Sequence, residues 1–170
     1  AVCLELSSKG NSVIIADIDE VKGGETCEEI SSNGGEAIFH SVDVRERDQI
    51  RHAADNSVKR FGKITGLVNC AGLVKMTSLD ELTEEEWDLV VDVNLKGTWL
   101  TTQEVSRDIA TAGGGAVVNI STVEAEVVVS SKGYCQVHYN ASKGGVKMLT
   151  KALSVELAKK SIRVNAVAPG

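Results

Sequence analysis

The 170-residue sequence has no cluster of lysine and arginine, no Cys-x-x-Cys pair and no long apolar run. Its net charge is −6, which argues against a nucleic-acid or anionic-membrane surface as partner. A membrane-spanning helix needs roughly 20 apolar residues in succession, so no membrane segment is expected. Cys3, Cys27, Cys70 and Cys135 are scattered, which disfavours a disulfide framework or a zinc site. Reduced thiols in a cytoplasm fit that usage better. His40, His52 and His138 show no ligand spacing, and no metal is expected.

What is present is an ordinary globular composition, 42% hydrophobic and 25% charged, in a chain long enough for one domain with a core. SVIIAD (12–17), EAIFHSVDV (36–44), KITGLVN (63–69), AVVNIS (116–121) and SIRVNAVA (161–168) read as strands. Between them, helices are expected from about Asp19 to Ser32, Arg45 to Phe61, Glu84 to Thr111 and Tyr139 to Lys160. The acidic stretch DELTEEEWD (80–88) reads as a helix start, with Thr83 and Glu86 at capping-box spacing. Strands alternating with helices in this way indicate an α/β fold, a doubly wound and mostly parallel sheet of the Rossmann-like kind. AVCLELSSKG reads as the back half of a helix and Pro169-Gly170 as the turn after a strand, so the sequence reads as part of a longer chain and the fold as incomplete.

In such sheets ligands sit at the carboxyl ends of the strands. Asp17 ends the first strand, where a carboxylate can accept the hydroxyls of a ribose and repel a 2′-phosphate. Asp43-Val44 ends the second, offering an acceptor and a backbone N–H. Asn69, Ala71 and Gly72, in NCAG, end the third with little side-chain bulk. Ser121-Thr122 ends the fourth with two hydroxyls. In HYNASKGG (138–145), Tyr139 and Lys143 stand one helical turn apart on one face. A fixed ammonium there can lower the phenol's pKa and make it a general acid–base. Gly144 and Gly145 follow, although each glycine inside a helix costs about 1 kcal/mol relative to alanine.

Taken in order, IIADID, DV, NCAG, VNLKGTW, VVNIST, YNASKGG and KALSVELAKKSIRVNAVAPG resemble the short-chain dehydrogenase/reductase family of the roughly 250-residue type. The resemblance implies that Tyr139 is the catalytic acid–base and that Lys143 lowers its pKa and bonds the nicotinamide ribose. Asn94, in VNLKG, would hold a water of the proton relay through its helix. Asp17 would favour NAD over NADP, Asp43-Val44 would contact adenine, and Asn69, Ala71 and Gly72 would lie along the cofactor. Pro169-Gly170 would form the turn beside the nicotinamide, and Gly144 and Gly145 would let their helix pack closely. The catalytic hydroxyl would come from Thr122, with Ser121 as the second choice. The segment Val123 to His138 is longer than usual, and its Glu124 and Glu126 could bind hydroxyls of a polyol or stand as surface carboxylates.

The resemblance further implies an NAD-dependent oxidoreductase that interconverts a secondary alcohol and a ketone, working as a homotetramer or dimer. A 3-oxoacyl thioester reductase and a sugar or polyol dehydrogenase both stay open. A non-catalytic nucleotide-binding or scaffold protein on the same fold is the alternative, and a doubly wound methyltransferase a more distant one. The family's glycine-rich phosphate turn and the strand before it would precede Ala1, and the substrate lid would follow Gly170. The 170 residues alone are therefore expected neither to fold stably nor to bind NAD.

Overall fold

The computed structural model describes residues 1–130 and 133–170. Ser131 and Lys132, within the long segment after Thr122, lie outside the described residues. In chain order the elements are α1 (Val2–Ser8), β1 (Val13–Asp17), α2 (Glu20–Ser32), β2 (Ala37–Ser41), α3 (Arg47–Phe61) and β3 (Gly66–Asn69). There follow α4 (Glu84–Val91), a π-helical turn (Asp92–Lys96), α5 (Gly97–Thr111), β4 (Gly115–Ile120), a 3-10 turn (Val123–Ala125), α6 (Val137–Ala158) and β5 (Ile162–Val167).

All strand pairings among these residues are parallel, β1 with β2 and β3-β4-β5 in that order, as two separate hydrogen-bonded groups. Strand alternation then places the helices. Val13 and Ile15 of β1 pack with Ile30, Cys3 and Phe39 under α1 and α2. Ile14, between them, faces the larger core of Ile50, Leu100, Ile109, Val117, Leu157 and Ile162, drawn from α3, α5, α6 and the second sheet. Helices therefore cover β1 from both sides, the doubly wound arrangement expected from the sequence.

The helix termini follow their capping chemistry. The Asp19 carboxylate accepts the Lys22 N–H at 3.0 Å to start α2, and Gly62, with φ of 81°, closes α3. Thr83 starts α4 by accepting the Glu86 N–H at 3.2 Å. Only half of the expected capping box forms, because the Glu86 carboxylate turns to the Thr77 hydroxyl instead. A charged clamp fastens α3 to α5: Arg51 meets Asp108 at 2.7 Å, and Arg47 reaches the buried Glu104 carboxylate.

Three expectations about elements need correction, and the third strand is one: it begins at Gly66 rather than Lys63. The run from Glu84 to Thr111 is not uniform α-helix, since residues 92 to 96 form a π turn. The second strand stops at Ser41 rather than Val44, because Asp43 leaves the ladder to bind Arg45 through its carboxylate and Gln49 through its N–H.

Candidate active site

The first turns of α6 bring the site together. Lys143 is buried, and its Nζ donates to the Ile120 carbonyl at the end of β4, at 2.8 Å. It also lies 5.9 Å from the centre of the Tyr139 ring. The two side chains thus share one face, as their spacing requires. The expected electrostatics do not follow. Burial raises the Tyr139 phenol above its ordinary value, the Glu124 charge adds to that, and only a side-chain contact with Thr122 pulls it down. Burial also lowers the Lys143 ammonium. The expectation that Lys143 depresses the phenol's pKa is therefore corrected: its ammonium is engaged by a backbone carbonyl.

The two candidate hydroxyls separate clearly. Ser121 is buried, and its Oγ donates to the Lys143 carbonyl at 3.2 Å, binding β4 to α6. Thr122 is partly open and starts the 3-10 turn by accepting the Glu124 N–H at 3.3 Å. Its Oγ1 also reaches the Pro169 carbonyl at 3.4 Å, while Val123 N–H donates to the same carbonyl at 3.0 Å. Pro169 accordingly borders Thr122, and Gly170 lies against Val123.

Asn94 is fully buried in the π turn. Its Oδ1 accepts the Leu73 N–H at 2.8 Å, and its Nδ2 donates to the Leu73 carbonyl at 2.9 Å and to Ser142 Oγ at 3.0 Å. One amide therefore fixes both the loop after β3 and the start of α6. A π turn redirects a side chain that a regular helix would aim elsewhere, and such turns concentrate at functional sites. Gly72 lies beside it: a Cβ there would come within 3.3 Å of Asn94 Oδ1 and 3.4 Å of Lys143 Nζ. Glycine lets the backbone lie close to both groups.

The remaining candidates divide. Asp17 stands exposed at the end of β1, its Oδ1 accepting the Asp19 N–H at 3.0 Å. Ala71 is exposed beside Gly72. The Asp43 carboxylate is taken by Arg45, which holds its pKa below the ordinary value. Asp43 therefore offers little to an adenine, and Val44 packs toward Gly97, where a Cβ would meet it at 2.7 Å. The Asn69 side chain turns inward, donating to Thr102 Oγ1 at 3.0 Å and Asn119 Oδ1 at 2.8 Å. Asn119 in turn donates to Thr150 at 2.9 Å. This buried polar ladder, tying β3, β4, α5 and α6, was missed in the sequence, where the only sign was an asparagine inside an apolar strand.

The glycines also part. A Cβ on Gly145 would lie 2.7 Å from Leu95 Cδ2, whereas one on Gly144 would have nothing nearer than the Ala125 carbonyl at 4.0 Å. Close packing thus explains Gly145 and not Gly144. The neighbouring His138 is wholly buried, with neither ring nitrogen hydrogen-bonded among the described residues. The Glu86 Oε1 lies 3.7 Å from its Nε2.

Parallel strands flanked by helices, with polar groups gathered at the carboxyl ends of β3 and β4, define a doubly wound α/β domain of the Rossmann-like class. Comparison with known proteins narrows this. The family described as short chain dehydrogenase matches residues 1–170. A 3-oxoacyl-[acyl-carrier-protein] reductase of Thermotoga maritima is 37% identical over 170 residues, the whole of this chain and 68% of that protein. A cyclopentanol dehydrogenase of Comamonas testosteroni is 33% identical over 168 residues, 99% of this chain and 66% of that one. A short-chain type dehydrogenase/reductase structure from Mycobacterium marinum superposes with a TM-score of 0.94 at 32% identity, covering 99% of this chain and 66% of that chain. A gluconate 5-dehydrogenase from Burkholderia cenocepacia, solved with NADP and tartrate, superposes with a TM-score of 0.90 at 32% identity, covering 99% and 65%. The chain belongs to the short chain dehydrogenase family, an oxidoreductase family that binds NAD(P), and spans about two thirds of the length of these relatives. Among the described residues no helix is long and apolar enough to cross a membrane.

Proposed function

We propose that the full-length protein is an NAD-dependent oxidoreductase that interconverts a secondary alcohol and a ketone. The observation that carries the reading is Tyr139 and Lys143 on one face of α6, with Lys143 Nζ bonded to the Ile120 carbonyl at the end of β4, two residues before Thr122. A dinucleotide suits the surface at Gly72 and the exposed Ala71, with Lys143 Nζ 3.4 Å from where a Gly72 Cβ would stand. Bound there, the nicotinamide supplies the hydride acceptor or donor.

This chain's residues do the rest. Thr122 Oγ1 holds the substrate oxygen, and Tyr139 takes its proton during oxidation and returns it during reduction. Lys143 stays fixed by Ile120 and offers its remaining N–H bonds to the cofactor's ribose. Asn94 steadies the Gly72–Leu73 loop and the first turn of α6. Pro169-Gly170 closes the nicotinamide end. The Asp17 carboxylate, exposed at the end of β1, accepts the adenosine ribose hydroxyls and repels a 2′-phosphate, so NAD is preferred to NADP. Val44 remains the better of the two residues proposed for adenine, because Arg45 occupies the Asp43 carboxylate.

A second copy of the chain is the proposed partner. Met148, Ala152 and Val155 form an exposed stripe on α6 at helical spacing, with Met148 62% and Val155 78% open. Covering that stripe in a dimer or tetramer removes apolar surface from water.

The test is turnover by the full-length protein with NAD and NADP, comparing wild type with Asp17→Ala. The reading expects NAD to be favoured by wild type and the preference to shrink by about tenfold or more in the variant, one lost charge-assisted interaction. Equal use of both cofactors by wild type would reject the NAD assignment, and no turnover of any secondary alcohol would reject the activity.

A further inference from the structure

The Tyr139 phenol has one neighbour that the reaction does not use. Glu124 lies two residues past Thr122, half-buried in the 3-10 turn. The turn and α6 hold it from two sides. Its N–H donates to Thr122 Oγ1 at 3.3 Å. Asn140, directly after Tyr139, donates Nδ2 to the Glu124 carbonyl at 3.0 Å and to its carboxylate Oε2 at 3.2 Å.

The other carboxylate oxygen, Oε1, has no donor among the described residues, and no ammonium or guanidinium pairs with it there. Glu126, two residues on, is different: Lys147 meets it at 2.7 Å. Asn140 Oδ1, enclosed at the same corner, also finds no donor among the described residues. This side of the site is thus rich in acceptors and short of donors. A carboxylate facing a phenol that must give up its proton opposes the chemistry, since two negative charges at close range repel. A donor brought by the substrate would relieve that opposition, and a substrate anion would worsen it.

We propose that Glu124 reads the substrate: its Oε1 accepts a hydrogen bond from a hydroxyl on the carbon next to the reacting one, so the enzyme prefers vicinal diols and polyols. This rests on the oxidoreductase reading above and names its substrate class. A neutral hydroxyl supplies the missing donor without adding a second cation to a site that already holds the buried Lys143. Hydroxy acids are disfavoured by charge.

The experiment measures kcat/KM of the full-length enzyme for trans-1,2-cyclohexanediol, cyclohexanol, 2-aminocyclohexanol and a 2-hydroxy acid, in wild type and in Glu124→Gln and Glu124→Ala. Wild type should prefer the diol to cyclohexanol by about tenfold or more, because a site built to bond a hydroxyl discriminates against the analogue lacking it. Glu124→Ala should bring that ratio to within about twofold of unity, and Glu124→Gln, which keeps one acceptor, should fall between. A second readout separates this from loss of structure. Removing the charge should move the ascending, acidic limb of the cyclohexanol oxidation profile to lower pH in Glu124→Gln, with NADH affinity retained. Tyr139 faces Glu124, Lys143 and Thr122, and only the first changes. A diol preference untouched by Glu124→Ala, or a higher kcat/KM for the amino alcohol, would overturn the inference while leaving the oxidoreductase reading intact. No turnover of any of the four would overturn both.

Discussion

Lys143 gives its ammonium to the Ile120 carbonyl at 2.8 Å, so the lysine at the centre of the site is also the pin between β4 and α6. Lys143→Met should therefore cost stability as well as any activity. It leaves a carbonyl in a half-buried position without its donor, a loss of about 1–3 kcal/mol. Urea unfolding of the full-length protein measures it, and a change below about 0.5 kcal/mol would mean that the pin contributes little.

The two helical glycines predict opposite outcomes. In Gly145→Ala the new Cβ meets Leu95 at 2.7 Å, so overpacking of about 1–3 kcal/mol opposes a helix-propensity gain of about 1 kcal/mol and leaves a net loss of up to about 2 kcal/mol. Gly144→Ala has open space and should gain up to about 1 kcal/mol from helix propensity. Thermal midpoints of the two variants, moving in opposite directions, are the expected result.

Asn94→Ala removes three hydrogen bonds from a buried amide and strands the Leu73 N–H and carbonyl. The expected loss is about 2–4 kcal/mol, because unsatisfied buried groups cost more than the bonds that satisfied them. Amide exchange at Leu73 should accelerate more than exchange in β4, which would localise the effect to the loop.

His138 makes a pH prediction. Burial holds its pKa below the ordinary 6.5, against a smaller opposing pull from Glu86. The unfolded chain therefore takes up the proton first as pH falls. Its contribution is complete above about pH 6.5 and is lost below that value, toward the depressed folded pKa. His40 shares this direction. Urea midpoints between pH 8 and pH 5 should fall in wild type and fall less steeply in His138→Asn; equal slopes would assign the effect elsewhere.

Much of this could be read from residue order. The β-branched runs gave the strands, Asp19 and Thr83 marked helix starts, and Tyr139 and Lys143 did meet on one face. Tertiary contacts hid the rest. DVNLK has an ordinary helical pattern, and its π turn accompanies a bond from Asn94 to a loop 21 residues earlier. Asn69 looked like a ligand contact from its place at a strand end, but a facing Thr102 and Asn119 draw it inward. Spacing brought Tyr139 and Lys143 together without revealing that Ile120 competes for the ammonium. Gly144 and Gly145 are adjacent in sequence, and only the position of Leu95 distinguishes them.

The reading of the site turns on the Tyr139 proton, and Tyr139→Phe in the full-length enzyme tests it with a single missing oxygen. Loss of a general acid–base predicts that kcat falls by about 10²–10⁴-fold, while the Kd for NADH stays within about twofold of wild type. Turnover persisting within tenfold of wild type, with the fold and cofactor affinity intact, would contradict it.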